Sequence, residues 1–435
     1  MSITLAIQSS ATKVEKIIEQ SYQEHNWLKF FRWTARYNQA QYEMPLPQAL
    51  QAARYYTQYA RQRLKSEIDS VGSRGLLVKY YRLVRRYTGL NFDPTLAAIK
   101  TEQVWSSTAI KPALMALPQE ITVMTTPKWF RQNRDNARGR FAIRDYISQL
   151  NPVKDHQEIA FLSINYEFPF DSTCSMVLAL IRTFCDPGMT GLVSQCSDLL
   201  SNSQKRLEDT ALILSEILEW GLDSERGREA IRRMNRMHHR FEIPNEQYLY
   251  VLSVFILEPI RWNERFGWRK MIEQEKLACF YYMRELGRRM NIKEIPETYE
   301  ELERFNLEYE RNNFRYAETN RQVLDRLFDS YLSLFPRLAR PLLKRFFWAL
   351  LDETARQAFD LPRTSKVSRW LTHNAFRLRG QFVRFLPPRH YPRLVTQMEM
   401  LSYPQGYLIS DLGTHRPTTE PVAALRASGC PFHHM

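Results

Sequence analysis

The residues best placed to do chemistry lie in one stretch, Arg226 to Phe241, which reads RGREAIRRMNRMHHRF. Read as a helix, it puts Ile231, Met234 and Phe241 on the same face as His238, so this imidazole falls on the apolar, inward stripe. His239 is turned one position away and joins Arg228, Arg232 and Arg236 on a basic face. A neutral imidazole in a dry pocket is a good iron ligand when its other ring nitrogen has a hydrogen-bond partner. The same position equally suits a core histidine satisfied within the fold. Arg232, Arg233, Arg236 and Arg240 read either as a solvated helix face or as planar donors to the carboxylates of a bound group.

A second site is Arg182-Thr183, inside the apolar run Thr173 to Cys185. An arginine there is costly unless it is paired or lines a polar cavity. Glu167, Asp171 and Asp209 are the expected partners if it is a buried ion pair. If it is functional, the guanidinium and hydroxyl form a donor pair that steadies negative charge on an oxygen ligand. Weaker signals are Asp209-Thr210, Asn235, Asn245-Glu246 and the tail sequence Gly429-Cys430-Pro431-Phe432-His433-His434, which resembles short Cys-Pro haem-binding sequences. The chain has no P-loop, no GxGxxG after a strand, no nucleophile elbow and no HExxH.

The elements that must position these residues are helices. Apolar residues recur at helical spacing over Lys13–Trp33 and Gln48–Ile68. Asp186-Pro-Gly ends the Arg182 helix, and further helices are predicted at about 188–222, 224–242, 245–262, 268–291, 297–334, 336–358 and 366–386. Only 14 glycines in 435 residues speak against a glycine-rich β architecture, and many of the 22 prolines fall between periodic stretches, where they stop helices. The expectation is an all-α protein: a helical N-terminal extension over 1–118, one large helical catalytic domain over 119–412 and a loosely ordered tail over 413–435.

Composition is that of a globular protein, 44% hydrophobic and 25% charged. Lys and Arg outnumber Asp and Glu by 61 to 47, and most of the excess lies between Arg337 and Arg393, with thirteen basic residues against three acidic ones. Interleaved Trp370, Phe376, Phe382 and Phe385 leave two main readings, a solvated basic face or a surface for anionic lipid headgroups. No zinc-finger or RRM signature supports nucleic acid as a partner. The five cysteines form no CxxC pair, and no signal-peptide pattern or apolar run of 18 residues is present, so the expected location is cytoplasmic and membrane-peripheral at most.

Several segments together resemble the haem-dependent oxygenase family that includes the fungal mycophenolic-acid oxygenase and the bacterial rubber oxygenases, or latex-clearing proteins. They are Tyr166-Glu-Phe-Pro-Phe-Asp171, Ala179-Leu-Ile-Arg-Thr-Phe184, Lys205-Arg-Leu-Glu-Asp-Thr210, Met234-Asn-Arg-Met-His-His-Arg-Phe241, Leu257-Glu-Pro-Ile-Arg-Trp262, Leu286-Gly-Arg-Arg-Met-Asn291, Glu300-Glu-Leu-Glu-Arg-Phe-Asn306 and Pro404-Gln-Gly-Tyr407. They keep the family's order over about 145–412. The resemblance implies an all-helical fold holding haem b, and dioxygen chemistry that cleaves a carbon–carbon double bond in a prenyl, isoprenoid or lipid-like chain. It implies His238 as the iron ligand, with His239 as the fallback, and on the residue reading above one or two of Arg232, Arg236 and Arg240 would then pair with the haem propionates. Arg182-Thr183 stands where the rubber-cleaving branch has a Lys-Thr pair, and Ala179 where that branch has an arginine. Rubber is therefore not the expected substrate. The rival expectations are a haem peroxidase or peroxygenase, and a non-catalytic helical protein of membrane surfaces.

Overall fold

The computed structural model describes residues 14–64, 70–88, 92–107, 139–196, 202–333, 335–389 and 391–413. Among these the chain is helical with no strand, as composition and periodicity predict. The boundary expected near 118 and the Cys430-Pro431 sequence lie outside the described residues. The chain divides into two compact units: residues 1–136 with 399–408, and residues 137–398 with 409–435.

The first unit contains helical residues 14–23 and the helices Trp27–Tyr42, Leu46–Gln62, Ser70–Thr88 and Pro94–Ser107. Its core is built from tyrosines. Ala49, Ala52, Ala53 and Ala60 give one helix a small-residue face, and Tyr56, Tyr59, Tyr80 and Tyr81 fill the space beside it. Buried phenols need partners: Tyr80 donates to Asn38 at 3.1 Å, and Tyr81 pairs with Thr101 at 2.6 Å.

In the second unit the longest helix, Asn245–Phe266, is the central element. It packs against Pro169–Thr183, Glu273–Arg289, Tyr299–Asn313 and Lys366–Arg384. Leu249, Leu252, Val254, Ile256, Leu257 and Ile260 are all buried, as an all-round apolar helix should be. Before Pro169 the chain widens into a π-helical turn, Ser163–Glu167, closed by Phe168 N–H donating to the Ser163 carbonyl at 2.8 Å. That turn aims the Glu167 carboxylate inward, where Arg269 donates to it at 2.6 and 2.9 Å and Arg140 at 3.2 Å. No single described helix is long and apolar enough to cross a membrane. Pro169–Thr183 and Pro187–Ser194 meet that test only together, and they are bent by 93°.

Three predicted helices are interrupted. The 188–222 run holds two helices, Pro187–Cys196 and Ser203–Trp220, with Asn202 outside helical geometry. Of the other two, the 297–334 run splits into Tyr299–Asn313 and Glu318–Ser333, and the 336–358 run into Arg340–Leu350 and Glu353–Ala358. At the first of these two breaks Phe314 leaves helical geometry and sets its ring edge-on to Tyr250 and 5.7 Å from the Arg182 guanidinium. At the second, Asp352 caps the new helix by accepting from Ala355 N–H at 2.9 Å. Both breaks deliver a side chain to Arg182, a tertiary demand that periodicity does not register.

Candidate active site

The helix Glu225–His238 is started by Ser224, whose hydroxyl accepts from Gly227 N–H at 2.8 Å. Gly227 is required there: a Cβ would come within 1.9 Å of the Gly221 carbonyl oxygen. Ile231, Met234 and Met237 are buried, whereas Arg232, Arg236 and His239 are exposed, so the apolar stripe read from spacing is the packed face. Asn235 donates to the Arg289 carbonyl at 2.8 Å, and Arg233 to the Leu412 carbonyl at 2.7 Å, fixing the helix on both sides.

His238 is the last residue of that helix. Its ring is partly exposed, yet Nδ1 is sealed from solvent and has no hydrogen-bond partner. Burial pushes its pKa down to about 4, helped by the charges of Arg206 and His239, so the ring is neutral near pH 7. Tyr248, from the central helix, stands edge-on to the imidazole with ring centroids 5.8 Å apart. Tyr248 and Arg206 are the neighbours that the sequence did not reveal, because neither carries a local motif. Arg206 lies only in the segment Lys205–Thr210, on the helix Ser203–Trp220. Arg240, past the helix end, is half-buried.

Arg182 is buried near the end of Pro169–Thr183. Its Nε and Nη2 donate to the two Glu310 oxygens at 3.0 and 2.5 Å, and Nη1 donates to Asp352 at 2.5 Å. Glu258 lies 3.7 Å away, and Tyr250 donates to Glu310 at 3.0 Å. Burial alone would lower the arginine's pKa, but the carboxylates of Glu310, Glu258 and Asp352 outweigh it and hold the guanidinium charged. These partners differ from those expected by proximity in sequence. Glu167 pairs with Arg269 and Arg140, Asp171 with Arg379, and Asp209 with Lys205. Thr183 donates to the Leu180 carbonyl at 2.7 Å.

The central helix is the element common to both clusters. Tyr248 meets His238, while Tyr250 and Glu258 belong to the Arg182 cluster. Tyr248, Val251 and Phe255 recur at helical spacing and are only partly covered, although the helix around them is buried. This face of the central helix is left partly accessible, and Tyr248 on it stands beside the imidazole. Among the described residues no group of three or more His, Cys, Asp or Glu converges as a metal-binding set. The imidazole is neutral and its Nδ1 is unpartnered, so His238 could supply one ligand to an iron whose other nitrogen ligands a macrocycle would bring.

Residues 173–385 match the family described as ER-bound oxygenase mpaB/B'/rubber oxygenase, catalytic domain. The match contains Arg182, Thr183, Arg206, His238 and Tyr248. The ER-bound oxygenase mpaB' of Penicillium brevicompactum is 26% identical over 210 residues, covering 44% of this chain and 50% of that protein. The ER-bound oxygenase mpaB of Penicillium roqueforti is 24% identical over 291 residues, covering 62% of this chain and 96% of the relative. The mpaB of Penicillium brevicompactum is 30% identical over 132 residues, covering 29% and 34%. The matched part therefore spans half the length of the first relative, nearly all of the second and a third of the third. Over residues 173–385, just under half of its length, this chain matches the mpaB/rubber oxygenase catalytic-domain family.

Proposed function

We propose that the chain is a haem b-dependent oxygenase that acts on a long, hydrophobic, unsaturated chain of prenyl, isoprenoid or lipid type, by oxidative cleavage of a carbon–carbon double bond. The observation that carries this reading is His238: a neutral imidazole, its Nδ1 sealed and unpartnered, inside the segment that matches an oxygenase catalytic domain. When bound, haem supplies the binding and activation of dioxygen. The protein supplies the rest. His238 offers a nitrogen lone pair that no proton occupies at neutral pH. Tyr248 stands edge-on to that ring, and Arg232, Arg236 and Arg240 are the proposed partners of propionate carboxylates.

The strip of Tyr248, Val251 and Phe255 gives an apolar chain a wall to lie on and keeps water from the reacting bond. Arg182 and Thr183 are the proposed donors on the oxygen side. The carboxylates take three of the guanidinium's N–H groups and hold it rigid, leaving its remaining donors and its charge in a fixed place. The relatives are named as ER-bound, and we assign this chain to the cytoplasmic face of a membrane, with residues 337–393 as the contact.

An absorption spectrum after haem-supplemented expression tests the reading. The purified protein is expected to show a Soret band that His238→Ala abolishes and His239→Ala retains, with helicity unchanged by circular dichroism in both. A colourless wild-type protein overturns it. Product formed with dioxygen and no added peroxide separates an oxygenase from a peroxygenase.

A further inference from the structure

The helix Lys366–Arg384 has two opposite faces. The inner one is fixed to the second unit. Phe376 packs on Phe170, Trp262 and Phe266, and Arg379 donates to Asp171 at 2.7 and 2.8 Å. Gly380 passes so close to the end of the central helix that a Cβ would sit 2.8 Å from the Phe266 carbonyl oxygen. The outer face carries Val367, Trp370, Leu371, Leu378, Phe382 and, one residue past the helix, Phe385. At 100° per residue these fall within one third of the helix circumference, and all are between 48% and 84% exposed. Exposed large apolar side chains grouped on one face are unusual for a soluble surface.

Charge specifies what covers this face. Between Leu361 and Met398 there is no Asp or Glu, while there are eight Arg and Lys residues. Lys366, Arg377 and Arg384 form an exposed row along one edge of the apolar stripe, with Arg369 one position further round. A second copy of the chain docking face to face would bring these cations together with no carboxylate between them. An anionic bilayer surface satisfies both features, because its acyl region takes the rings and its headgroups take the cations.

We infer that Lys366–Arg384 is a preformed interfacial helix that lies in the plane of an anionic lipid bilayer, inserting Trp370, Leu378, Phe382 and Phe385, with Lys366, Arg377 and Arg384 at the headgroups. This gives the membrane contact of the proposed function a specific helix and orientation, and it holds whether or not haem is bound.

Cosedimentation of the full chain with vesicles tests it, using phosphatidylcholine alone and a two-to-one mixture with phosphatidylserine. The expected result is binding to the mixture only, weakened by salt. The triple variant Lys366→Gln/Arg377→Gln/Arg384→Gln should bind more weakly by roughly five-fold per charge removed. Trp370→Ser/Phe382→Ser/Phe385→Ser should lose binding by more than about ten-fold while keeping wild-type helicity, since these side chains are mostly exposed. Quenching by brominated acyl chains should fall by the share that Trp370→Leu removes. Absence of binding, equal binding to both vesicle types, or a dimer that the triple serine variant dissolves overturns the inference. A colourless protein that still binds the mixture overturns the haem reading and leaves this one standing, and a haem-loaded protein that binds neither does the reverse.

Discussion

At the residue scale, two opposing influences meet at His238. As the last residue of its helix it lies at the negative end of the helix dipole, which favours imidazolium by ~0.3–1 kcal/mol. Burial outweighs the dipole, and the ring is driven to the neutral form that a metal requires. Arg182 shows the converse, a charge kept because its partners are kept. Arg182→Ala would strand Glu310 and Asp352, and it should destabilise the second unit by about 3–5 kcal/mol in denaturant unfolding. Arg182→Lys retains the charge but loses the two-pronged contact with Glu310, and should cost less. If Arg182 also serves the oxygen side, the lysine variant keeps its haem band and fold while turnover falls.

Asp352 permits a cleaner test of the same cluster. Burial pulls its carboxyl up, but the Arg182 charge, the Ala355 N–H and the Arg182 hydrogen bond outweigh it and hold the group below its ordinary 3.8. A depressed folded value means the contribution is present above pH 3.8 and is lost as pH falls through the lower value. The side chain is 45% exposed, so solvent screens the pair and the contribution is small. Asp352→Asn preserves the helix cap. It should lower stability near pH 7 by no more than about 1 kcal/mol and flatten the acid limb of a stability–pH profile.

At the element scale, the His238 helix depends on how it begins. Gly227→Ala raises helix propensity by ~1 kcal/mol, yet its Cβ would collide with the Gly221 backbone. The collision should win, with a net loss of about 1–3 kcal/mol and lower haem occupancy per polypeptide. Glu229→Ala, on the exposed face of the same helix, should leave both unchanged. An unchanged melting temperature in Gly227→Ala would show that the helix start is free to shift. The breaks at Phe314 and Asp352 follow a related rule, in which local helix preference yields and each side chain meets a buried arginine by leaving the helix.

At the scale of the whole molecule, the chain returns to its first unit late. Residues 399–408 belong with 1–136: Glu399 pairs with Lys79 at 3.1 Å, and Tyr407 N–H donates to Thr95 at 3.3 Å. Gly406 adopts a φ of 83°, and a Cβ there would sit 2.3 Å from the Thr95 hydroxyl. Gly406→Ala should therefore destabilise the first unit by more than ~1 kcal/mol. Calorimetry should show its transition lowered while the transition of the second unit is unchanged, and loss of both together would mean that the units unfold as one. The Pro404–Tyr407 segment, part of the sequence resemblance, lies beyond the matched range 173–385 and in the first unit.

The sequence by itself determined the all-α class and the resemblance to the mpaB/rubber oxygenase family, because helical periodicity and ordered motifs are local properties that survive without a tertiary frame. Tertiary structure alone decided which carboxylates meet Arg182, that Tyr248 and Arg206 attend His238, and that the 297–334 and 336–358 runs must break. Glu310 and Asp352 stand 128 and 170 residues from Arg182 along the chain, and no spacing rule spans that distance. Charge could be counted in the sequence. Only packing could show that the apolar stripe of Lys366–Arg384 faces outward, because an amphipathic helix looks the same in sequence whichever side its neighbours occupy.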